Sequence, residues 1–396
     1  MQKIVKKAPW LVLAAGALIQ LFGGIPGGWG AFQKPVMAEY ALTDRQAGYI
    51  YSCLLAAYGL GCAAGGFLQD RCGPRKPALL GTALLCAGLM GAGFLPAGRP
   101  WLFYLGFSVP AGVGSAFLAP AVLACGQKWY PRRKGLAAGI ISCGMGLSGL
   151  FLTGLVGQFT RGRWQEQGIR GAFFALAGLA LPVCLGACLL LVDPPEPRRN
   201  KTPSGLAPAR MVRTRQYWIL AAAVALSTPA VQLFSPQLVE IGTRRGLTPE
   251  KALWAVALGG LGNAAGRLIL PLVSDRLGRV KTDRLLFGAL AALSVWFAWA
   301  GGLWVLTVYT GLCFCYAGLS AVLPALAADW FGLAHAGVNY GLLALGQTAG
   351  SLLFPLAADG LHLTQGRHFL AAGAAALGTV LLAEMPPKVS ANDEKM

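Results

Sequence analysis

Apolar residues fall into blocks of about 20 from one end of the chain to the other, the helical length that crosses a bilayer's hydrocarbon core, and short polar stretches separate them. The pattern predicts twelve helices, near 9–32, 46–68, 77–97, 101–126, 135–158, 170–192, 217–240, 250–273, 284–303, 304–327, 337–358 and 367–385. The polar segment 193–216, DPPEPRRNKTPSGLAPARMVRTRQ, is the longest and divides six spans from six. Its Pro, Ser and Arg content reads as a flexible linker. The expected organisation is an all-α membrane protein with two pseudo-symmetric six-helix bundles, 1–192 and 217–396, joined by a cytoplasmic linker.

Composition supports a polytopic membrane protein. Only 12% of the 396 residues are charged and 56% are hydrophobic, too little charge to wet the surface of a soluble protein of this size. A net charge of +18 raises the question of nucleic acid. The basic residues sit in short loops between spans, however, so they are read as setting orientation. Their excess on alternate loops places both termini in the cytoplasm of a multi-pass protein of the plasma (inner) membrane, with the bilayer and no nucleic acid as partner. The N-terminal run MQKIVKKAPWLVLAAGALIQLFGGIPGGWGAF starts with basic residues and an apolar stretch as a signal peptide does, but the run is long and more spans follow, so it is taken as the first span. The ten cysteines fall mostly within apolar spans and lack zinc spacing. With three histidines and no Ser/His/Asp arrangement, no enzyme, metal site or cofactor is expected.

A repeat underlies the two halves. Leu42–Thr43 is matched by Leu247–Thr248, and at the same offset Asp70–Arg71 meets Asp275–Arg276 and Gly73 meets Gly278. WYPRRKGLAAG from Trp129 pairs with WFGLAHAGVNYG from Trp330. Duplicated six-helix halves are the pattern of transporters that rock around a central site. At the first offset Arg267 lies opposite Cys62, so the arginine belongs to one half alone.

The loops GGFLQDRCGPRKP and PLVSDRLGRVK resemble the signature of the major facilitator superfamily, in both halves. WGAFQKP, LTDRQAGYIYS, KWYPRRKGLAAG, NYGLL and the arginine of GNAAGRLILPLVSDRLGR resemble the oxalate:formate antiporter family and the related monocarboxylate porters. The resemblance implies a carrier of small carboxylates working by alternating access, with Arg267 as the substrate-binding arginine of span 8. This chain departs from the family's oxalate carriers at Gln347, where they have lysine. It also departs at Gly27, Met145, Ser320 and Ala344, where they have aromatic rings, while Tyr316 is kept.

Arg267 leads the candidates. A charge deep in a span costs several kcal/mol. It lies about 12 Å of helix rise from Asp275, too far to snorkel easily to the surface, and its planar guanidinium can hold one carboxylate through two hydrogen bonds. Asn263 shares its helix face one turn earlier; it can bond substrate or the arginine, or merely pack between helices. Gln347 can donate to a second substrate oxygen. Tyr316, Phe117, Trp29 and Tyr340 are aromatic candidates for the cavity, with ordinary packing as the alternative for each. Asp70, Arg71, Arg75, Asp275, Arg276 and Arg279 are expected to gate by pairing with each other and with helix C-termini. Glu240 is the expected proton site, should protons be coupled.

One fixed positive charge predicts a monocarboxylate such as formate, lactate or pyruvate. Moving the empty carrier with a bare cation is costly, which predicts anion exchange by a monomeric carrier. The competing readings are a proton-coupled symporter, an oxalate:formate exchanger, a drug or lipophile exporter, and a transport-dead sensor or scaffold.

Overall fold

The computed structural model describes residues 8–194, 205–363 and 366–385 and is helical almost throughout. Residues 195–204 of the expected linker lie outside them. The chain divides into two compact units, Met1–Trp129 with Ile140–Glu196, and Tyr130–Gly139 with Pro197–Met396.

The first unit contains α1 (Trp10–Gly23), α2 (Ile25–Tyr40), α3 (Asp44–Cys72), α4 (Arg75–Phe94), α5 (Val109–Trp129), most of α6 (Lys134–Thr160) and α7 (Gly168–Leu190). The expected first span, 9–32, is in fact α1 followed by α2 and runs to Tyr40. Gly24 and Pro26 interrupt it, because a proline nitrogen cannot donate to the helix ladder. A π-turn, Tyr104–Ser108, precedes α5.

The second unit contains α8 (Arg215–Ser227), α9 (Leu238–Arg244), α10 (Pro249–Leu277), α11 (Arg279–Trp299), α12 (Trp304–Phe331), α13 (Ala336–Gly360) and α14 (Gly366–Ala383). The expected single span 217–240 is corrected here. It breaks after Ser227 into a one-turn helix, Pro229–Gln232, a 3₁₀ turn, Ser235–Gln237, and α9. Pro229 and Pro236 remove the amides that would continue the ladder. Part of segment 193–216 is also built into the fold. Leu206 N–H donates to Phe331 O at 2.8 Å, and Asn339 Nδ2 donates back to Leu206 O at 3.2 Å. Pro208–Met211 forms a helical turn, and Thr214 caps α8 through the amide of Tyr217.

The repeated sequence pairs are helix ends. Thr43 and Gln46 form a reciprocal capping box at the start of α3, and Thr248 accepts from the Lys251 amide at the start of α10. Gly73 and Gly278 close these same two helices at φ +75° and +90°, where a side chain would be strained. Among the described residues ten helices are long and apolar enough to cross a membrane. The expected spans 217–240 and 284–303 are not among them. The first is broken, and α11 opens with Arg279, Lys281, Asp283 and Arg284.

Candidate functional site

Arg267 sits on α10, with only 8% of its surface exposed. What fixes its backbone is Gly266. A Cβ there would lie 2.1 Å from the Phe314 carbonyl oxygen, so α10 and α12 approach as closely as glycine permits. The Nε–H of Arg267 donates to Asn263 Oδ1 at 2.9 Å, one turn back on the same helix. Among the described residues no other hydrogen bond and no ion pair reaches the guanidinium.

Tyr316 on α12 is buried, and its hydroxyl is the centre of a polar network. Gln347 Nε2 on α13 donates to it at 2.8 Å and Gln232 Nε2 at 3.5 Å, while Gln232 also donates to Ser351 Oγ at 2.8 Å. The structure therefore joins two expected residues, Tyr316 and Gln347, and adds Gln232 and Ser351. Gln232 was hidden in the sequence because its position depends on the break after Ser227. Tyr340 lies in the second turn of α13, about 10 Å of helix rise before Gln347, and packs against the core of this unit.

In the first unit, Trp29 is a core residue. It is 3% exposed, stacks on Phe32 and tilts against Phe107, with ring centroids 6.3 and 5.6 Å away. Phe117 is half-buried and lies over Gly65, where a Cβ would come within 3.0 Å of its ring.

The charged candidates fall into two differently built groups. In the second unit Arg279 bonds Asp275 Oδ1 at 2.9 Å, Ser274 Oγ at 3.0 Å and the carboxylate of Asp329. Lys134 adds a 2.8 Å bridge to Asp329. The Asp275 carboxylate in turn accepts from the amides of Gly135 and Leu136 at 3.0 Å each, placing negative charge on the N-terminus of α6. Gly135 is required there, since a Cβ would meet Pro271 O at 2.2 Å. Arg276 is exposed. Asp329 and Lys134 were not among the expected gating residues, although Lys134 lies within the repeated segment that begins at Trp129 and Asp329 immediately precedes the one that begins at Trp330.

In the first unit Arg75 donates to Leu189 O, at the C-terminus of α7, at 2.7 Å. Arg71 lies 4.1 Å from the Phe67 ring centroid. Asp70 occupies the last turn of α3. Glu240 is exposed and pairs with Arg244 at 2.7 Å, a surface contact one turn along α9.

One buried carboxyl escaped the sequence reading. Asp283, in the first turns of α11, is 5% exposed. The expected span 284–303 begins one residue after it. The signal was its helical register with Leu286, Phe287 and Leu290, all buried.

Comparisons with known proteins identify the family. The Major Facilitator Superfamily profile matches residues 13–355. The chain is 26% identical to the oxalate:formate antiporter of Oxalobacter formigenes over 84% of its own length and 80% of the relative's. It is 28% identical to human monocarboxylate transporter 11 over 72% of its own length and 61% of that protein. The crystal structure of the superfamily transporter FucP superposes with a TM-score of 0.73 at 15% identity, covering 95% of this chain and 99% of that one. The chain thus belongs to the Major Facilitator Superfamily of multi-pass membrane transporters.

Proposed function

We propose that the protein exchanges small monocarboxylates across the plasma (inner) membrane by alternating access, as a monomer with both termini in the cytoplasm. The observation that carries this reading is the buried guanidinium of Arg267, held by Asn263 through Nε alone. A carboxylate that takes its terminal nitrogens forms two parallel charge-assisted hydrogen bonds and quenches the charge. The names of the relatives, an oxalate:formate antiporter and a monocarboxylate transporter, point to the same class of cargo.

Gln347 narrows the class. It is a neutral donor, and its Nε2 is partly satisfied by Tyr316. With one fixed cation, the site favours one negative charge, and the amide can meet a keto or hydroxyl oxygen beside the carboxylate. Exchange follows from the same charge. An empty site must move a bare guanidinium through a dehydrated state, whereas a loaded site is neutral. The cluster of Asp275, Arg279, Asp329 and Lys134 serves as the cytoplasmic gate.

Reconstituted vesicles preloaded with unlabelled lactate, pyruvate, formate or oxalate test the proposal by counterflow of labelled substrate. Rapid exchange of monocarboxylates that vanishes in Arg267→Ala is the expected result. Transport of lipophilic cations that ignores Arg267→Ala would replace this reading with that of an exporter.

A further inference from the structure

Asp283 is a buried carboxyl that the cargo site does not use. Its Oδ1 is fully buried and has no hydrogen-bond partner. The side chain lines a cavity of about 20 Å³, enough for one water molecule, together with Ser227, Ser320 and Gln347. Gln347 is the residue whose amide bonds Tyr316. A carboxylate in such a place, with no donor to Oδ1 and its nearest cation, Arg279, engaged by other carboxylates, is less stable than the neutral acid.

The charged and titratable groups around it explain why no counter-ion reaches it. On its own helix, Arg279 lies one turn earlier, while Lys281 and Arg284 are exposed. The Arg279 guanidinium is drawn away by Asp275 of α10 and Asp329 of α12. Arg276 of α10 is exposed. Glu384, just beyond α14, pairs at 3.6 Å with Arg215 of α8, and Tyr217 of α8 donates to Leu342 O. The cavity face of α13 contributes the uncharged Gln347, and that of α12 the hydroxyl of Ser320.

We propose that Asp283 is a proton-binding site linked to the gate: it holds a proton while Arg279 is engaged by Asp275 and Asp329, and releases it when the gate opens. Opening frees the guanidinium one helical turn from Asp283, where it becomes the missing counter-ion. The O–H bond then breaks heterolytically, the electron pair stays on the carboxylate, and the proton leaves to water on the gate's side. Closing reverses the step, so the proton is exchanged with one compartment and anion exchange proceeds without net proton movement. The proton binds the closed form, so acid favours closure and rising pH favours opening. The inference rests on the reading of the Asp275–Arg279–Asp329 cluster as a gate and is independent of which carboxylate is carried.

Two measurements on the full-length protein in lipid nanodiscs test it. Infrared difference spectra taken across about pH 5 to 9 should show a protonated carboxyl band that is absent in Asp283→Asn. Hydrogen–deuterium exchange at the amides of Gly135 and Leu136, which bond Asp275, reports opening. Compared at matched pH, the wild-type protein should open more as pH rises, by up to about tenfold per pH unit relative to Asp283→Asn, the limit for a single proton. Asp283→Ser provides the same comparison should the asparagine variant fail to insert. A carboxyl band unchanged in the variants, or amide exchange with the same pH dependence in all three proteins, overturns the proposal. Failure of carboxylate counterflow would overturn the cargo assignment and leave these two readouts intact.

Discussion

Arg267 donates its Nε–H to Asn263 across one helical turn, at 2.9 Å. The bond uses the only guanidinium nitrogen that does not lie at the tip of the side chain. It therefore fixes the orientation of the fork without occupying it. In the proposed function, a ligand carboxylate meets a donor pair that is already aligned, and little rotamer entropy remains to be lost on binding.

Replacement of Arg267 separates charge from geometry. Arg267→Lys keeps the charge and loses the fork, and Arg267→Ala loses both. Removal of a bidentate charge-assisted contact should cost about 3 kcal/mol, or about 100-fold in substrate affinity. We expect counterflow to be lost in Arg267→Ala and binding to fall by at least about tenfold in Arg267→Lys. Titration of each purified variant with lactate measures both.

Asn263 gives a sharper test through its aspartate. Asn263→Asp places a carboxylate where the amide oxygen now accepts from Arg267 Nε, creating the permanent acidic partner that this site lacks. The internal ion pair competes with substrate, so affinity should fall by about 100-fold. Asn263→Ala should cost only about tenfold, the worth of one orienting hydrogen bond. Equal affinities for the two variants would remove Asn263 from the argument.

In the proposed function, Gln347 governs the number of negative charges accepted. Gln347→Lys adds a second cation beside Tyr316, and a dicarboxylate then gains an interaction that a monocarboxylate cannot make. The ratio of oxalate to formate affinity should rise by at least about tenfold. Competition of the two acids against labelled substrate reads this ratio directly. Tyr316→Phe should leave the preference among monocarboxylates in place while loosening both Gln347 and Gln232, which share its hydroxyl.

The fold was legible in the sequence because its signals are local. Apolar blocks mark helices, and the repeated Thr and Gly positions mark their ends, as the capping box at Thr43 and the positive-φ glycines at 73 and 278 demonstrate. The break after Ser227 was harder to read. Pro229 and Pro236 signal it, yet apolar residues continue through them and hydropathy alone sees one span. Arg267 stood out because a charge among apolar residues is costly. Asp283 did not, since Lys281 and Arg284 beside it made the run resemble a solvated turn. Only its register with Leu286 and Phe287 separates it from them. Trp29 shows why aromatic candidates stay ambiguous, for an aromatic ring in a membrane helix reads the same whether it lines a cavity or fills a core.

The gate depends on Asp275 as a cap and as an ion-pair partner at once. Its two oxygens accept from Gly135 and Leu136, and one of them also holds Arg279. Asp275→Asn retains an acceptor but loses the charge that favours both the α6 N-terminus and Arg279. The closed cluster should weaken by about 2 kcal/mol, raising amide exchange at residues 135–136 by about 30-fold. Arg276→Ala, at an exposed neighbour with no part in the cluster, should leave that exchange rate within about twofold of wild type.

The contact that carries Arg267 is testable apart from any ligand. Gly266 presses α10 against the backbone of α12 so closely that an added Cβ would stand 2.1 Å from Phe314 O. The collision is with backbone, so no side-chain rotation relieves it and the two helices must separate. Overpacking of this kind costs about 1–3 kcal/mol and more where backbone must move. Separation also rotates the adjacent Arg267 relative to Tyr316 on the facing helix. Gly266→Ala should lower the thermal midpoint of the detergent-solubilised protein and reduce substrate affinity together. Gly288→Ala, on a helix surface with no atom within 4 Å of the added methyl, should change neither. If Gly266→Ala bound substrate normally, the close approach of α10 to α12 would be a matter of stability alone, and the orientation of Arg267 would have to come from Asn263.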